Sequence, residues 1–280
     1  MVDVRLHTSI QEFRTIAEPL YRRDPVLHTI ELTLLAGGIH ADDAVLLTTW
    51  RDGVPVGAAM QTPPYPLVCT GIPDDRVNSA VDELVQARPG LDGVLGVRNT
   101  TLAFADAWRV ATGRPGRVTL EERLYRLGAL HRPDEVAGTA RHAADDDRVL
   151  LVDWVELFFA ETFGHRRDDA AGAGFVDAAE DKGDQFLLWV VDGRPVTTAM
   201  LRAPAAGVSR IGPVFTPREY RNNGYGSAVT AAAADLALHR GVTDVVLFAD
   251  LANPTSNAIY QRIGFVAVAD SVRIDFGTVD

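Results

Sequence analysis

Residues 221–227 read RNNGYGS: an arginine, two asparagines and a Gly-x-Gly, set directly ahead of a run of alanine, leucine and valine. Alanine has the highest helix propensity, so the following segment is expected to be helical, with Gly241 placed to end it. The first amides of a helix have no partners within it and the macrodipole is positive there, which makes this loop an anion site. Gly224 and Gly226 let the main chain approach a ligand without a Cβ in the way, and the Arg221 guanidinium can fork onto phosphate oxygens. A pyrophosphate suits such a loop. Taken alone, the two glycines equally make a tight turn, and neither a GxGxxG opening a βαβ unit nor a GKS or GKT phosphate loop is present.

A second stretch, 250–265, reads DLANPTSNAIYQRIGF and follows an apolar run at 245–248 of strand type. Its spacing predicts a loop exposing Asn253, a helix over 257–262 capped by Thr255 or Ser256, Gly264 as the stop, and a strand over 265–268. Tyr260 then lies on a short helix beside the anion loop. Its phenol, with a reference pKa near ~10, can donate a proton to a leaving thiolate with a reference pKa near ~8.5.

An RxxGxG between strand and helix, followed about thirty residues on by NxxSxxxYxxxGF, resembles the GNAT superfamily of N-acetyltransferases. The matching residues are Arg221, Gly224 and Gly226, then Asn253, Ser256, Tyr260, Gly264 and Phe265. The wording VFTPREYRNNGYG and LANPTSNAIYQRIGF is similar to a bacterial subgroup with two modules in tandem, and the close similarity spans about 210–270. The resemblance implies an α/β (α+β) fold of two GNAT-like modules. Each is a mixed, mainly antiparallel sheet flanked by helices, and a splayed strand pair holds the cofactor in the C-terminal module. It also implies transfer of an acetyl group from acetyl-CoA to a primary amine by direct attack on the thioester, without an acyl-enzyme. Main-chain groups of Val214, Phe215 and Thr216 would meet the pantetheine arm. The amides of Asn222, Asn223, Gly224, Tyr225, Gly226 and Ser227 would hold the diphosphate with Arg221 beside them. Asn253 would bond the pantetheine, and Tyr260 would be the general acid.

The chain departs from the family pattern in two places. Asn222 and Asn223 stand where the family often has glycine, arginine or lysine; asparagine tolerates left-handed backbone angles and keeps its amide available, while positive charge is lost. The strand over 211–216 carries no Asp or Glu, which leaves the general base open between Asp250, Glu219 and a water chain. Two other readings stay open with it: a regulatory module that binds CoA or acetyl-CoA without turnover, and an acyltransferase using another acyl donor. The motifs specify neither the acceptor nor the acyl chain length.

The elements that must position these residues fill about half of the 280-residue chain, so two domains are expected: a degenerate GNAT-like module over 1–130 and a catalytic GNAT domain over 138–280. Pro133 and Gly138 mark the linker between them. In the later half a helix over 150–163 leads to strands over 186–191 and 196–201, joined by a turn at Asp192 and Gly193. The earlier half repeats this order more faintly: helices over 10–21 and 25–36, strands over 45–50 and 54–60 around Asp52 and Gly53, a strand near 67–70 and a helix over 77–87. A strand over 94–97 and a helix over 101–112 closed by Gly113 complete the internal repeat. Where the later half has its anion loop, the earlier one has GIPDDRVN. Asp74 and Asp75 there would repel a pyrophosphate, and Arg109 stands where Tyr260 would correspond. Arg109 and Trp108 read as helix surface and core, and the stretch 164–183 reads as a mobile, solvated acceptor loop.

Composition narrows the class. A net charge of −11 argues against nonspecific nucleic-acid binding, and 47% hydrophobic residues suffice for packed cores. No run approaches the ~20 apolar residues of a membrane helix and no secretory signal opens the chain, so a cytoplasmic protein without membrane association is expected. Cys69 is the sole cysteine and reads as a small buried residue, and the seven histidines show no ligand spacing, so no metal is expected. A homodimer is left open.

Overall fold

The chain folds as two compact units in the computed structural model, which describes residues 3–39, 43–164 and 166–277. Unit 1 comprises the chain up to Leu124, Asp250–Ala252 and the described residues from Val268 on; unit 2 comprises Tyr125–Ala249 and Asn253–Ala267.

Unit 1 begins with β1 (Val4–Leu6), α1 (Ile10–Tyr21), α2 (Thr29–Gly37), β2 (Val45–Arg51), β3 (Val54–Gln61) and β4 (Leu67–Val68). It continues through a 3-10 turn at Asp74–Arg76, α3 (Val77–Ala87), β5 (Gly93–Val97), α4 (Arg98–Thr112) and β6 (Gly116–Leu127), whose last residues enter unit 2. β2 and β3 form the expected hairpin. Asp52 and Gly53 take φ of 51° and 79°, the positive angles that a primed two-residue turn needs. β4 then runs parallel to β5 through Leu67↔Val94 and Val68↔Leu95.

Unit 2 repeats the order: β7 (Thr139–His142), a 3-10 turn at Asp145–Asp147, α5 (Arg148–Phe163), α6 (Asp169–Asp181), β8 (Gln185–Val191) and β9 (Arg194–Leu201). Next come β10 (Val208–Phe215), a 3-10 turn at Arg218–Tyr220, α7 (Tyr225–His239), β11 (Asp244–Asp250), α8 (Pro254–Arg262) and β12 (Phe265–Phe276). From β11 the strand order in this unit runs β11-β10-β9-β8-β7, parallel where β10 meets β11 and antiparallel in the other three pairs. The repeat extends to detail. Asp192 and Gly193 have φ of 48° and 75°, and the β8–β9 ladder slips between Trp189 and Val190 as the β2–β3 ladder slips between Thr49 and Trp50.

Each unit has its own core. In unit 1, Leu47, Leu67, Leu84, Phe104 and Trp108 are buried, and Trp108 stacks on Phe276 with ring centroids 5.4 Å apart. Phe276 belongs to β12, whose later half pairs antiparallel with β5 from Ser271↔Val97 to Asp275↔Gly93. β12 is therefore far longer than the strand expected over 265–268, because its second half completes the sheet of unit 1. In unit 2, Val229, Ala233, Ala234 and Ala237 of α7 lie buried against Ala199, Ile211 and Val245 of the sheet. A helix face of alanines lets the helix settle close to the strands. A second cluster joins Leu151, Trp154 and Val155 of α5 to Val176 and Ala179 of α6 and to Leu188, Met200 and Phe215. No helix among the described residues is long and apolar enough to cross a membrane.

One strand lacks any local sequence signal, and one sequence expectation is corrected. Thr139–His142 forms β7, paired with β8 from Thr139↔Val190 to His142↔Leu187, although all four residues are exposed and show no apolar alternation. The stretch 164–183 is not an open loop: most of it is α6. Asp168 caps that helix by accepting from the amides of Ala170 and Ala171, and Arg167 bridges Asp153 and Asp169 at 2.6 Å each; the expectation also covered His165, which lies outside the described residues. Its glycines have unlike roles. Gly172 is buried where a Cβ would come 2.6 Å from Cγ of Glu156, whose buried carboxylate accepts from the Asp168 amide at 2.6 Å. Gly174 has open space around it.

This contrast fixes an expected result. Gly172→Ala should cost about 1–3 kcal/mol in denaturant unfolding through overpacking of α6 on α5, whereas Gly174→Ala should be neutral or stabilise by up to ~1 kcal/mol, since alanine is the better helix former. Equal effects at the two positions would contradict the close α5–α6 contact.

Candidate active site

The candidate site is built on strand β10, the loop after it and the helices α7 and α8. β10 runs parallel to β11 only from Val208↔Asp244 to Ile211↔Leu247. Its pairing with β9 shifts register between Ile211 and Val214, at Gly212, and resumes at Val214↔Ala199 and Phe215↔Thr198. Val214, Phe215 and Thr216 therefore continue along β9 after the ladder to β11 has ended. Thr197 of β9 fixes the end of the strand: its hydroxyl donates to the Phe215 carbonyl at 2.7 Å and shares a hydrogen bond of 2.8 Å with the Thr216 hydroxyl. Pro217 then turns the chain into the 3-10 turn.

In the loop itself, Asn222 has φ of 65° and Gly224 has φ of 79°, so the chain takes left-handed backbone angles on either side of Asn223. The Asn223 amide group donates to the carbonyls of Tyr220 and Arg221 at 3.1 and 3.0 Å, stapling the loop. Arg221 to Gly224 are exposed, Tyr225 and Gly226 half-buried and Ser227 buried. α7 starts here with no side-chain cap and no acid in its first turn. Its leading amides, on half-buried Tyr225 and Gly226 and buried Ser227, lie directly behind the exposed loop 221–224 at the positive end of a 15-residue helix.

Arg221 is not idle in this arrangement. Its Nε donates to the Thr216 carbonyl at 2.9 Å and its Nη2 to Oε2 of Glu161, near the end of α5, at 2.6 Å. Arg218 reaches the other oxygen of Glu161 at 3.1 Å. Burial would raise the Glu161 carboxyl, but Arg221 and then Arg218 outweigh it and hold the group below the usual carboxylate range. Neither Glu161 nor Arg218 was singled out from the sequence. Arg218 lies in the same PREYRNNGYG segment, whereas Glu161 has no local signal.

α8 comes next. Asn253 is its N-cap: Oδ1 accepts from the Ser256 amide at 3.1 Å, its carbonyl accepts from the Asn257 amide, and Pro254 occupies the first turn. The helix therefore starts at Pro254 rather than 257, and asparagine displaces Thr255 or Ser256 as the cap because proline at the first helical position favours a start there. At the far end Gly264, φ 105°, packs directly on the backbone of Ala129, and Gly128 donates to its carbonyl at 2.9 Å. Tyr260 lies on the hydrophobic cluster that also includes Val214 and α7, its ring edge-on to Phe265 at 6.3 Å. Burial pushes its phenol up to about 12. Tyr125 of β6, fully buried, anchors α8 by donating to Oδ1 of Asn257 at 2.8 Å and accepting from Gln261 at 3.3 Å. It was invisible to sequence reasoning because its partners lie so far along the chain.

The structure also places the remaining expected residues. Glu219 is exposed on the 3-10 turn, and Asp250 ends β11, where it accepts from the Ala252 amide at 2.8 Å. Cys69 is buried, and burial outweighs the opposing hydrogen bond with Thr101 and pushes its thiol up to about 12, which leaves it unreactive. In unit 1 the helix entrance equivalent to the α7 loop carries its own carboxylates. Asp75 pairs with Arg51 at 2.5 Å and Asp74 accepts from Thr100 at 3.1 Å, and β4 is only two residues long. Arg109 is an exposed partner of Asp106 at 2.7 Å, and Trp108 is core. No group of three or more His, Cys, Asp or Glu side chains gathers as a metal site among the described residues.

A strand that leaves its neighbour, an uncapped alanine-rich helix and a tyrosine-bearing helix after the next strand agree with the outcome of comparison. Residues 148–265 match the Acetyltransferase (GNAT) family. The matched segment is a GNAT acetyltransferase domain. The chain is also 32% identical over 90 residues to a mycothiol acetyltransferase of Beutenbergia cavernae; the match spans 31% of this chain and 30% of that protein. Among solved structures, an acetyltransferase of the GNAT family from Colwellia psychrerythraea superposes with a TM-score of 0.64 at 11% identity, covering 98% of this chain and 99% of that one. A tandem GNAT protein from the clavulanic acid biosynthesis pathway superposes with a TM-score of 0.61 at 11% identity, covering 99% and 100%. These two likenesses are of fold. The match to the family is confined to that segment, and the likeness over the whole chain is one of mixed, largely antiparallel architecture.

The cap geometry carries its own test. Asn253→Ala should cost about 1 kcal/mol of stability and raise amide exchange across 254–262 selectively. Unchanged protection in that helix would contradict the capping role.

Proposed function

We propose that the chain is an N-acetyltransferase that moves an acetyl group from acetyl-CoA to a primary amine. The observation that carries the reading is the start of α7: an exposed loop with left-handed residues on either side of Asn223, no acid in the first turn, no side-chain cap, and two arginines alongside. Such a terminus suits a diphosphate. In this reading the amides of residues 222–227 and the Arg221 guanidinium take the diphosphate, the main chain at Val214, Phe215 and Thr216 meets the pantetheine arm, and Asn253 contacts the same arm with the amide nitrogen that its capping role leaves over. The Thr197 and Arg221 contacts to the carbonyls of Phe215 and Thr216 hold this edge in shape before a ligand arrives, which lowers the ordering cost of binding. The GNAT match and the similarity to a protein named mycothiol acetyltransferase support acetyl transfer as the reaction.

The amine lone pair forms a bond to the thioester carbonyl carbon, the carbon–sulfur bond breaks, the Tyr260 hydroxyl gives its proton to the departing sulfur, and the nitrogen loses one to a base. Because burial holds the phenol near 12, Tyr260 stays protonated through the working range. The same desolvation raises a thiolate leaving group and so narrows the gap between the two. Strand β10 brings no carboxylate, so the base lies elsewhere, with Glu219, Asp250 and a water chain as the candidates. We assign catalysis to the domain over 138–280. The module over 1–130 has lost donor binding, since Asp74 and Asp75 sit where the anion would go.

Tyr260→Phe should lower kcat by roughly ~10²-fold in an assay of acetyl transfer and thiol release across a panel of primary amines. In the unaltered enzyme kcat should show no falling limb up to about pH 10.5, because the phenol ionises only near 12. A full rate in the phenylalanine variant, or a falling limb near pH 9 that this variant lacks, would sink the acid assignment.

A further inference from the structure

Glu161 stands where its own helix disfavours it. It lies in the last turn of α5, which ends at Phe163 and carries no basic residue there, so the negative end of the macrodipole repels its charge. What retains it is the loop: Arg221 at 2.6 Å and Arg218 at 3.1 Å, one on each carboxylate oxygen. The carboxylate is 31% exposed, Arg221 39% and Arg218 80%, so the cluster sits in water and can open. Its charge is lopsided, with two guanidiniums around one carboxylate, and the α7 terminus beside it has no counter-charge in its first turn.

We propose that Glu161 is a positioning residue of the donor site: its carboxylate occupies the guanidinium edges of Arg221 and Arg218 that a CoA diphosphate takes, so donor binding exchanges one anion for another. The inference rests on the donor reading above. Nε of Arg221 stays on the Thr216 carbonyl throughout, which keeps the guanidinium aimed at the loop while its outer edge changes partner. Glu161 thus orients the arginines in the empty enzyme and opposes the ligand that replaces it.

Calorimetric titration of the full chain with CoA, and separately with pantetheine, which lacks the diphosphate, tests this exchange. Glu161→Gln should bind CoA about three- to tenfold more tightly than the unaltered chain while pantetheine changes by less than about twofold, the scale expected for releasing an exposed ion pair and its repulsion. In an Arg218→Gln/Arg221→Gln background the same substitution should alter CoA affinity by less than about twofold. Unchanged or weaker CoA binding in Glu161→Gln, an equal gain for pantetheine, or a gain that persists without the arginines would each overturn the exchange. No CoA binding by the unaltered chain at millimolar concentration would overturn the donor reading itself and this inference with it.

Discussion

The first amides of α7 have no side-chain cap. Three features of unit 2 converge on that end of the helix: β10 parts from β11 after Ile211, Asn222 and Gly224 turn the chain through left-handed angles, and the alanine face of α7 packs the helix onto β9, β10 and β11. An ordinary N-cap would satisfy one of those amides. Asn253 shows that this chain uses such a cap where it needs one, at α8, and leaves it out at α7. The uncapped end is stabilised chiefly by burial further along the helix, where Val229, Ala233, Ala234 and Ala237 are fully buried, rather than by local bonds at its start.

Unit 1 runs the same elements with the opposite electrostatics. The helix entrance after β4 contains Asp74 and Asp75, each already bonded within the unit, so the positive helix end is neutralised from inside. β4 has also shrunk to two residues, which removes the long strand end that meets β9 in unit 2. The hairpins, with their paired positive φ angles and their matched register slip, are kept in both units. The two units share the parts that folding requires and differ at the anion loop.

Much of this was legible in the chain because the signals are local. Two Asp-Gly pairs between apolar runs gave both hairpins, the alanine-rich run gave α7, and Gly-x-Gly before it gave the loop. The failures were of two kinds. Where composition misled, a tertiary contact explained it: the glycines of 164–183 suggested mobility, but Gly172 is small because Glu156 lies against it, and Asp168 was a cap hidden by the weak propensity behind it. Where the partners are distant, nothing local existed to be read. Glu161 meets Arg221, Tyr125 meets Asn257, and β7 has four exposed residues whose only strand credential is pairing with β8.

The path of β12 places a limit on treating the halves as interchangeable pieces. Its first residues belong to unit 2, directly after Gly264, and its later ones supply Val272, Ile274 and Phe276 to the core of unit 1. Residues 1–130 alone would leave β5 without its antiparallel partner over Gly93–Val97 and Trp108 without the ring it stacks on. An unpaired strand edge and a large uncovered apolar face are what isolated domains avoid. Unit 1 is therefore incomplete without the later residues of β12, although these follow unit 2 in the chain, so its core closes only when the last strand is made.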